Sequence, residues 1–106
     1  MLNKVVIEGD VVRSVWGKGE NAGFFVTIKQ ERKVGKFTWS NYFSLYANQP
    51  LAKELADIVE KNANAHIAVE GQLRTYHSKK TNDWKVSIQV DKIIQSVQQE
   101  ETNAQG

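Results

Sequence analysis

From Glu70 to Ile93 the chain reads EGQLRTYHSKKTNDWKVSIQVDKI. The second half of this stretch alternates without a break. Trp84, Val86, Ile88 and Val90 occupy one set of positions, and Lys85, Ser87, Gln89 and Asp91 the other. A period of two puts the apolar side chains on one face of a strand and the polar ones on the opposite face. Asn82-Asp83 supplies turn chemistry just before it. The residues from Gly71 and Leu73 onward form the partner strand, and Arg74, Tyr76, Lys79 and Lys80 crowd toward the turn. A long β-hairpin is therefore built into the chain, and the remaining segments must supply strands to pair with it.

They do so in a definite order. Strand one is predicted from Lys4 to Val12, followed by a turn-rich loop from Trp16 to Gly23. Strand two, Phe24–Glu31, alternates Phe24, Val26 and Ile28 with Phe25, Thr27 and Lys29. Val34-Gly35-Lys36 marks a basic turn. Strand three, Phe37–Ala47, places Trp39, Asn41, Phe43 and Leu45 on one face, and Ser40, Tyr42, Ser44 and Tyr46 on the other. The period then changes. Leu51, Leu55, Ile58 and Val59 form one stripe of an amphipathic helix. Pro50 suits its first turn, and Asn62 and Asn64 its end. The hairpin follows as strands four and five. Five short strands with a helix between the third and fourth is the order of an all-β OB-fold, a Greek-key barrel that binds oligonucleotides. Gly9 and Gly71 sit inside strands, where such a barrel has to bend. Residues 1–97 are expected to form this one domain. The chain turns polar from Gln95, and residues 98–106 are expected to be a short disordered tail.

Composition narrows the function classes. The 106 residues include no cysteine, which excludes disulfides and zinc–thiolate sites. No apolar run approaches membrane-spanning length and the N-terminus lacks a signal-peptide pattern, so no membrane association is expected. The expected compartment is the cytoplasm, that of a host if the chain is viral. Net charge is +2, unevenly spread. Residues 29–41 carry Lys29, Arg32, Lys33 and Lys36 against Glu31. Residues 74–85 carry Arg74, Lys79, Lys80 and Lys85 against Asp83. Two basic segments on an otherwise acidic body form a local footprint for phosphates. Charge alone leaves open whether they are merely solvated hairpin tips.

Several strings resemble one family. Asn3-Lys4-Val5, Trp39 to Tyr46, the helix opening Leu51-Ala-Lys-Glu-Leu55, and above all Val69-Glu-Gly-Gln-Leu-Arg-Thr75 look like the bacterial and phage single-stranded DNA-binding proteins (SSB). The similarity covers about residues 3–94. It implies an OB-fold that coats single-stranded DNA without sequence preference in replication, recombination and repair. It also implies self-association through the first strand, often into tetramers. Trp39 and Tyr46 match family aromatics, Trp39 with a one-residue slip. Two family tryptophans fall near Ser78 and Val34 and are missing here. The chain closes on Ala104-Gln-Gly106 rather than on the family's acidic Pro-Phe tip, like short phage or plasmid members or a primosomal relative. Replication or recombination partners would then be met by another route.

The candidate DNA contacts are Arg32, Lys33, Lys36, Arg74, Lys79 and Lys80 for phosphates, with Phe37, Trp39, Tyr46 and Tyr76 for bases. Trp39 shares a face with Phe43 and Leu45, so core packing and stacking are both open. Tyr46 lies on the more polar face, which favours stacking. Tyr76 is in phase with Gln72 and Arg74, an aromatic among polar groups. Trp84, in phase with Val86 and Ile88, is expected in the core. Trp16 either packs a barrel end or touches ligand. Glu8 and Asp10 read as solvated strand positions.

Catalysis has no support, because no nucleophile–base pair is legible. His66 and His77 stand apart from any ligand spacing, so no metal or other cofactor is expected. Gly17-Lys18-Gly19 lacks the frame of a phosphate loop. The function is read as non-specific coating of single-stranded DNA. A primosomal or RNA-directed OB adaptor acting through protein contacts is the alternative. Strand one has apolar residues on both faces, Val5, Ile7 and Val11 against Val6 and Val12. A strand with one wet face would alternate more cleanly. A homo-oligomer through that strand is expected, a tetramer first and a dimer second.

Overall fold

A computed structural model describes residues 2–18, 23–61 and 65–98. Five strands and one helix follow in chain order: β1 Val5–Trp16, β2 Phe24–Val34, β3 Phe37–Ala47, α1 Leu51–Lys61, β4 Ala65–Ser78 and β5 Asp83–Gln98. The strands close into a barrel in the order β1-β2-β3-β5-β4, and every pairing is antiparallel except β3 with β5. This is the expected OB-fold barrel, with the helix between the third and fourth strands.

The core follows from strand phase. Phe24, Val26 and Ile28 of β2, Leu45 of β3, and Ile67 and Val69 of β4 point inward and are fully buried. The helix brings Leu55, Ala52 and Ala56 to the same cluster, packing against β2, β3 and β5. Its first turn opens with the Ala52 amide on the Asn48 carbonyl at 2.8 Å. Glu54 in the first turn and Lys61 in the last complement the helix dipole. The Asn62 and Asn64 of the expected helix end lie outside the described residues, as do loop positions 19–22 and tail positions 99–106.

The barrel has to bend near Gly71, where β4 stops pairing with β1 while it stays paired with β5. The ladder is irregular between Glu70 and Gly71. A Cβ on Gly71 would collide with the Gln89 carbonyl oxygen, so only glycine fits this approach. Beyond β1's first residue the ladder is extended by a side chain. Asn3 donates its amide to the Leu73 carbonyl and accepts from the Leu73 amide, both at 3.0 Å. The carboxamide thus imitates a backbone unit and ties the chain start to β4.

Three strands outrun their predicted ends. β1 continues to Trp16, β2 to Val34, and β5 to Gln98, through residues expected to begin the tail. In the first two the ladder persists where the sequence loses its buried–exposed alternation, because both faces there meet water. The β2–β3 ladder runs from Phe24↔Ala47 out to Val34↔Phe37. It closes on a two-residue turn with Gly35 at φ +62°, the conformation a tight hairpin needs at its first central position. The β4–β5 ladder runs out to Ser78↔Asp83. Its turn places Asn82 at φ 57° and closes the Asn82 amide onto the Ser78 carbonyl at 2.7 Å.

Both hairpins therefore project past the barrel as arms. β3 and β5 run parallel where they pair, at Leu45↔Ile88 and Tyr46↔Gln89, and each begins at its own turn. The two tips consequently lie at the same end of the barrel. At about 3.3 Å per residue, the β2–β3 arm reaches roughly 26 Å beyond Leu45 and the β4–β5 arm roughly 16 Å beyond Ile88.

β1 carries the double-faced pattern expected of it. Val5, Ile7 and Val11 pack on the core, while Val6 and Val12 are exposed. Val12 faces outward by alternation and sits in the register shift between Val11 and Arg13. The strand is not a free edge along its whole length. Val5–Asp10 pairs with β4, and Asp10–Trp16 pairs with β2. Next to Val5–Gly9, β2 has already departed into its arm, and the Gln30 side chain donates to the Glu8 carbonyl at 2.7 Å.

Candidate nucleic-acid interface

The outward phase of four strands converges on one cleft. In β2 the inward positions are taken by Phe24, Val26 and Ile28, so Phe25 between them has to face out. It lies directly across from Tyr46 of β3. Tyr46 neighbours Gln89 of β5, and β5 pairs Ser87 with Arg74 and Lys85 with Tyr76 of β4. The result is a cleft of about 320 Å³ lined by Phe25, Tyr46, Arg74, Thr75, Tyr76, Ser87 and Gln89. The Phe25 and Tyr46 rings meet with centroids 4.8 Å apart at 49°.

The chemistry of this cleft is distinctive. Aromatic faces take up flat heterocycles, a guanidinium takes up phosphate, and Ser87 and Gln89 offer hydrogen bonds to either. Among the described residues no carboxylate lines it. An unbranched polyanion carrying flat rings matches every one of these groups.

A second groove lies on the inward phase of the β2–β3 arm. Arg32, Val34, Trp39 and Asn41 line about 390 Å³, with Arg32 directly across from Trp39. Phe37 continues this row toward the tip and is 71% exposed. On the arm's opposite face, Lys29 pairs with Glu31 at 3.0 Å. That hydrogen bond holds the Lys29 amine above its ordinary pKa.

The ten predicted contacts thus divide between places. Tyr46, Arg74 and Tyr76 meet in the outward cleft. Arg32, Trp39 and Phe37 share the inward row of the β2–β3 arm. Lys33 lies on the other face of that arm, opposite Thr38, and Lys36 is in its turn. Lys79 and Lys80 form the tip of the β4–β5 arm.

One expectation about tryptophan is overturned and one open alternative is closed. Trp39, for which core packing was open, is 61% exposed, and Trp84, expected in the core, is 71% exposed. Both have the inward phase, as the alternation requires. Both stand beyond the rim, where the inward side of a strand faces no core. Trp16 packs its ring on buried Phe24, centroids 4.9 Å apart, and so covers a barrel end.

Phe25, Ser87 and Gln89 were not singled out by sequence reasoning. The signal for Phe25 was present, since an aromatic out of phase with three core residues must face the surface. Ser87 and Gln89 carry no such signal, being ordinary outward positions of an alternating strand.

The opposite side of the barrel corrects another expectation. Glu8 and Asp10 are not merely solvated. The His66 ring bridges them, Nδ1 to Asp10 at 2.8 Å and Nε2 to Glu8 at 2.9 Å. The bond to Asp10 first, and that to Glu8 second, hold the imidazole above its ordinary pKa. Among the described residues no group of three His, Cys, Asp or Glu side chains is arranged to hold a metal ion, and no helix is long and apolar enough to cross a membrane.

Comparison with known proteins agrees with this architecture. A crystal structure of a small single-stranded DNA-binding protein from Mycoplasma pneumoniae is 41% identical, with a TM-score of 0.80 over 90% of this chain and 94% of that one. Uncharacterized proteins of Mycoplasma pneumoniae and Mycoplasma genitalium are each 42% identical over 94 residues, 89% of this chain and 88% of theirs. A small single-stranded DNA-binding protein from Streptomyces coelicolor shares the fold at 16% identity, with a TM-score of 0.61 over 94% of this chain and 96% of that one. Residues 1–103 match the family described as a protein of unknown function, DUF3217. The chain therefore belongs to that family, and through its mycoplasma relative of known structure it is a short OB-fold member of the single-stranded DNA-binding proteins.

Proposed function

We propose that this protein binds single-stranded DNA without sequence preference and covers it during replication, recombination and repair. The observation that carries this reading is the outward cleft. There Phe25 of β2, Tyr46 of β3 and Tyr76 of β4 present ring surfaces beside Arg74 of β4, with Ser87 and Gln89 of β5 between them. Stacking tolerates any base because every base has a π-face, and phosphate contacts carry no sequence information. Arg32, Lys33, Lys36, Lys79 and Lys80 on the two arms extend the phosphate track past the barrel. No catalytic step is assigned to any of these groups.

The decisive experiment is fluorescence anisotropy with labelled homopolymers of increasing length and a duplex control. Single strands of different composition should bind with similar, salt-sensitive affinity, and duplex should bind far more weakly. Equal binding to duplex would overturn the reading.

We also infer that the protein assembles through β1, as a tetramer before a dimer. Its exposed Val6 and Val12 and the partly unpaired edge at Val5–Gly9 support this. The inferred compartment is the cytoplasm. Residues 98–106 are inferred to lie outside the DNA site, since they carry neither aromatic nor basic side chains.

A further inference from the structure

The outward positions of β1 are Val6, Glu8 and Asp10, and Lys4 precedes them in the same phase. Across the ladder on β4 stand Glu70, Ala68 and His66. The two ends of this patch differ. At one end Lys4 meets Glu70 at 3.7 Å, and Lys92 of β5 is the register partner of Glu70. At the other end the His66 ring lies between Asp10, its register partner, and Glu8, its diagonal neighbour, at 2.8 and 2.9 Å. Val6 stands between the ends, an exposed apolar side chain with charge on both sides.

The other groups around this bridge are occupied or uncharged. Lys29 of β2, the register partner of Asp10, closes onto Glu31 at 3.0 Å. Arg13 lies farther along β1, across from Thr27 and past the register shift. On β5 the register partner of His66 is Val97, and residues 62–64 before β4 carry no ionisable side chain. The helix packs on β2, β3 and β5. Two carboxylates thus share one imidazole.

The patch is complementary to a second copy of itself. A two-fold axis runs one β1 antiparallel to the other, so the Lys4 end of each row meets the Glu8–Asp10 end of its partner, with valine toward valine. The edge beside it is open to such an approach, because β2 pairs with β1 only from Asp10 onward. Each Lys4 already serves its own Glu70, so contact presses Glu8 and Asp10 of both copies into a space emptied of water. With neutral imidazoles the four carboxylates repel one another as they lose hydration. With charged imidazoles each copy buries a hydrogen-bonded group in which a cation sits between its two anions. Excluding water therefore favours the charged ring further, and association takes up protons.

We propose that protonation of His66 controls assembly through the outward face of β1, copies associating tightly when the imidazole is charged and loosely when it is neutral. The proposal rests on the reading that the protein assembles through β1, and gives that contact a regulator. It also accounts for a histidine held between two acids on the side of the barrel away from the cleft.

The test is sedimentation equilibrium of the full chain between pH 6 and pH 8 at fixed ionic strength, with the melting temperature recorded for each sample. The dissociation constant of the unmodified protein should rise about tenfold or more over this range. Two variants should abolish that dependence from opposite sides. His66→Gln should associate weakly at both pH values, and Glu8→Gln with Asp10→Asn should associate tightly at both. A general loss of folding cannot produce both outcomes. A dissociation constant that stays level with pH, or falls as pH rises, would overturn the switch and leave the assembly intact. A dependence that survives in His66→Gln would assign it to another group and overturn the proposal. A monomer at every pH would remove the assembly reading and the switch together.

Discussion

Phe25 and Tyr46 are cross-strand partners whose rings touch on the outward face of the barrel, 4.8 Å between centroids, with the Arg74 and Tyr76 side chains lining the same cleft. The pair turns two isolated aromatics into one extended ring surface. Truncating either member removes its own stacking face and the lateral support of the other. Phe25→Ala and Tyr46→Ala are each expected to weaken single-strand binding by about 1–3 kcal/mol, while Tyr46→Phe, which keeps the ring, should bind nearly normally. Anisotropy titrations measure this, and an unaffected Phe25→Ala variant would place the strand elsewhere.

The arm tip contributes charge rather than stacking. Lys79 and Lys80 are exposed in the β4–β5 turn. For single strands the logarithm of affinity falls with the logarithm of salt by about 0.7 per neutralised phosphate. Lys79→Gln with Lys80→Gln should therefore flatten the salt slope by about 1.4. An unchanged slope would take both lysines out of the site.

Assembly is testable at Val6, which is 62% exposed and lies across from Glu70 on the outward face. Val6→Lys sets an opposite charge beside Glu70, so the barrel should keep its stability within about 0.5 kcal/mol. Burial of that charge between subunits would be costly, so the variant should show a lower native mass at an unchanged melting temperature. A monomeric mass for the unmodified protein at micromolar concentration would sink the oligomer.

The His66 bridge predicts a pH dependence of stability. Its folded pKa is raised above the ordinary 6.5 by Asp10 and Glu8. A raised folded pKa means that the protonated form is favoured by folding. The bridge's contribution is thus complete below the unfolded pKa and is lost as pH rises through the folded one. The unmodified protein should exceed His66→Gln in stability by up to about 1 kcal/mol at mildly acid pH, the size of a partly exposed ion pair. The gap should close above neutrality. Chemical denaturation at a series of pH values measures it, and a gap that widens with pH would contradict the assignment.

Leu45 is fully buried where β3 meets β5, opposite Ile88. Leu45→Ala should cost about 2–5 kcal/mol, since both the transfer free energy and an unfilled cavity contribute. A denaturant midpoint within 0.5 kcal/mol of the parent, an order-of-magnitude bound for surface sites, would show that this junction is not the closing point of the barrel.

Local periodicity made much of the architecture legible. The alternation of Phe24–Val26–Ile28 and of Trp84–Val86–Ile88–Val90 assigned side chains to the correct faces, because a strand's phase depends only on its own backbone. The Leu51–Leu55–Ile58 stripe marked the helix for the same reason, and Gly35 and Asn82 marked turns through their tolerance of positive φ.

Tertiary structure decided what those phases mean. Ile88 and Trp84 share one face of one strand, yet Ile88 is buried and Trp84 stands in solvent. The difference is set by where β3 stops pairing with β5, a non-local property that no window of β5 contains. In the same way, closure of the barrel brought Phe25, Tyr46, Arg74 and Tyr76 from three strands into one cleft, and laid His66 against Glu8 and Asp10. Sequence specifies which way each side chain points; the path of neighbouring strands specifies what it meets there.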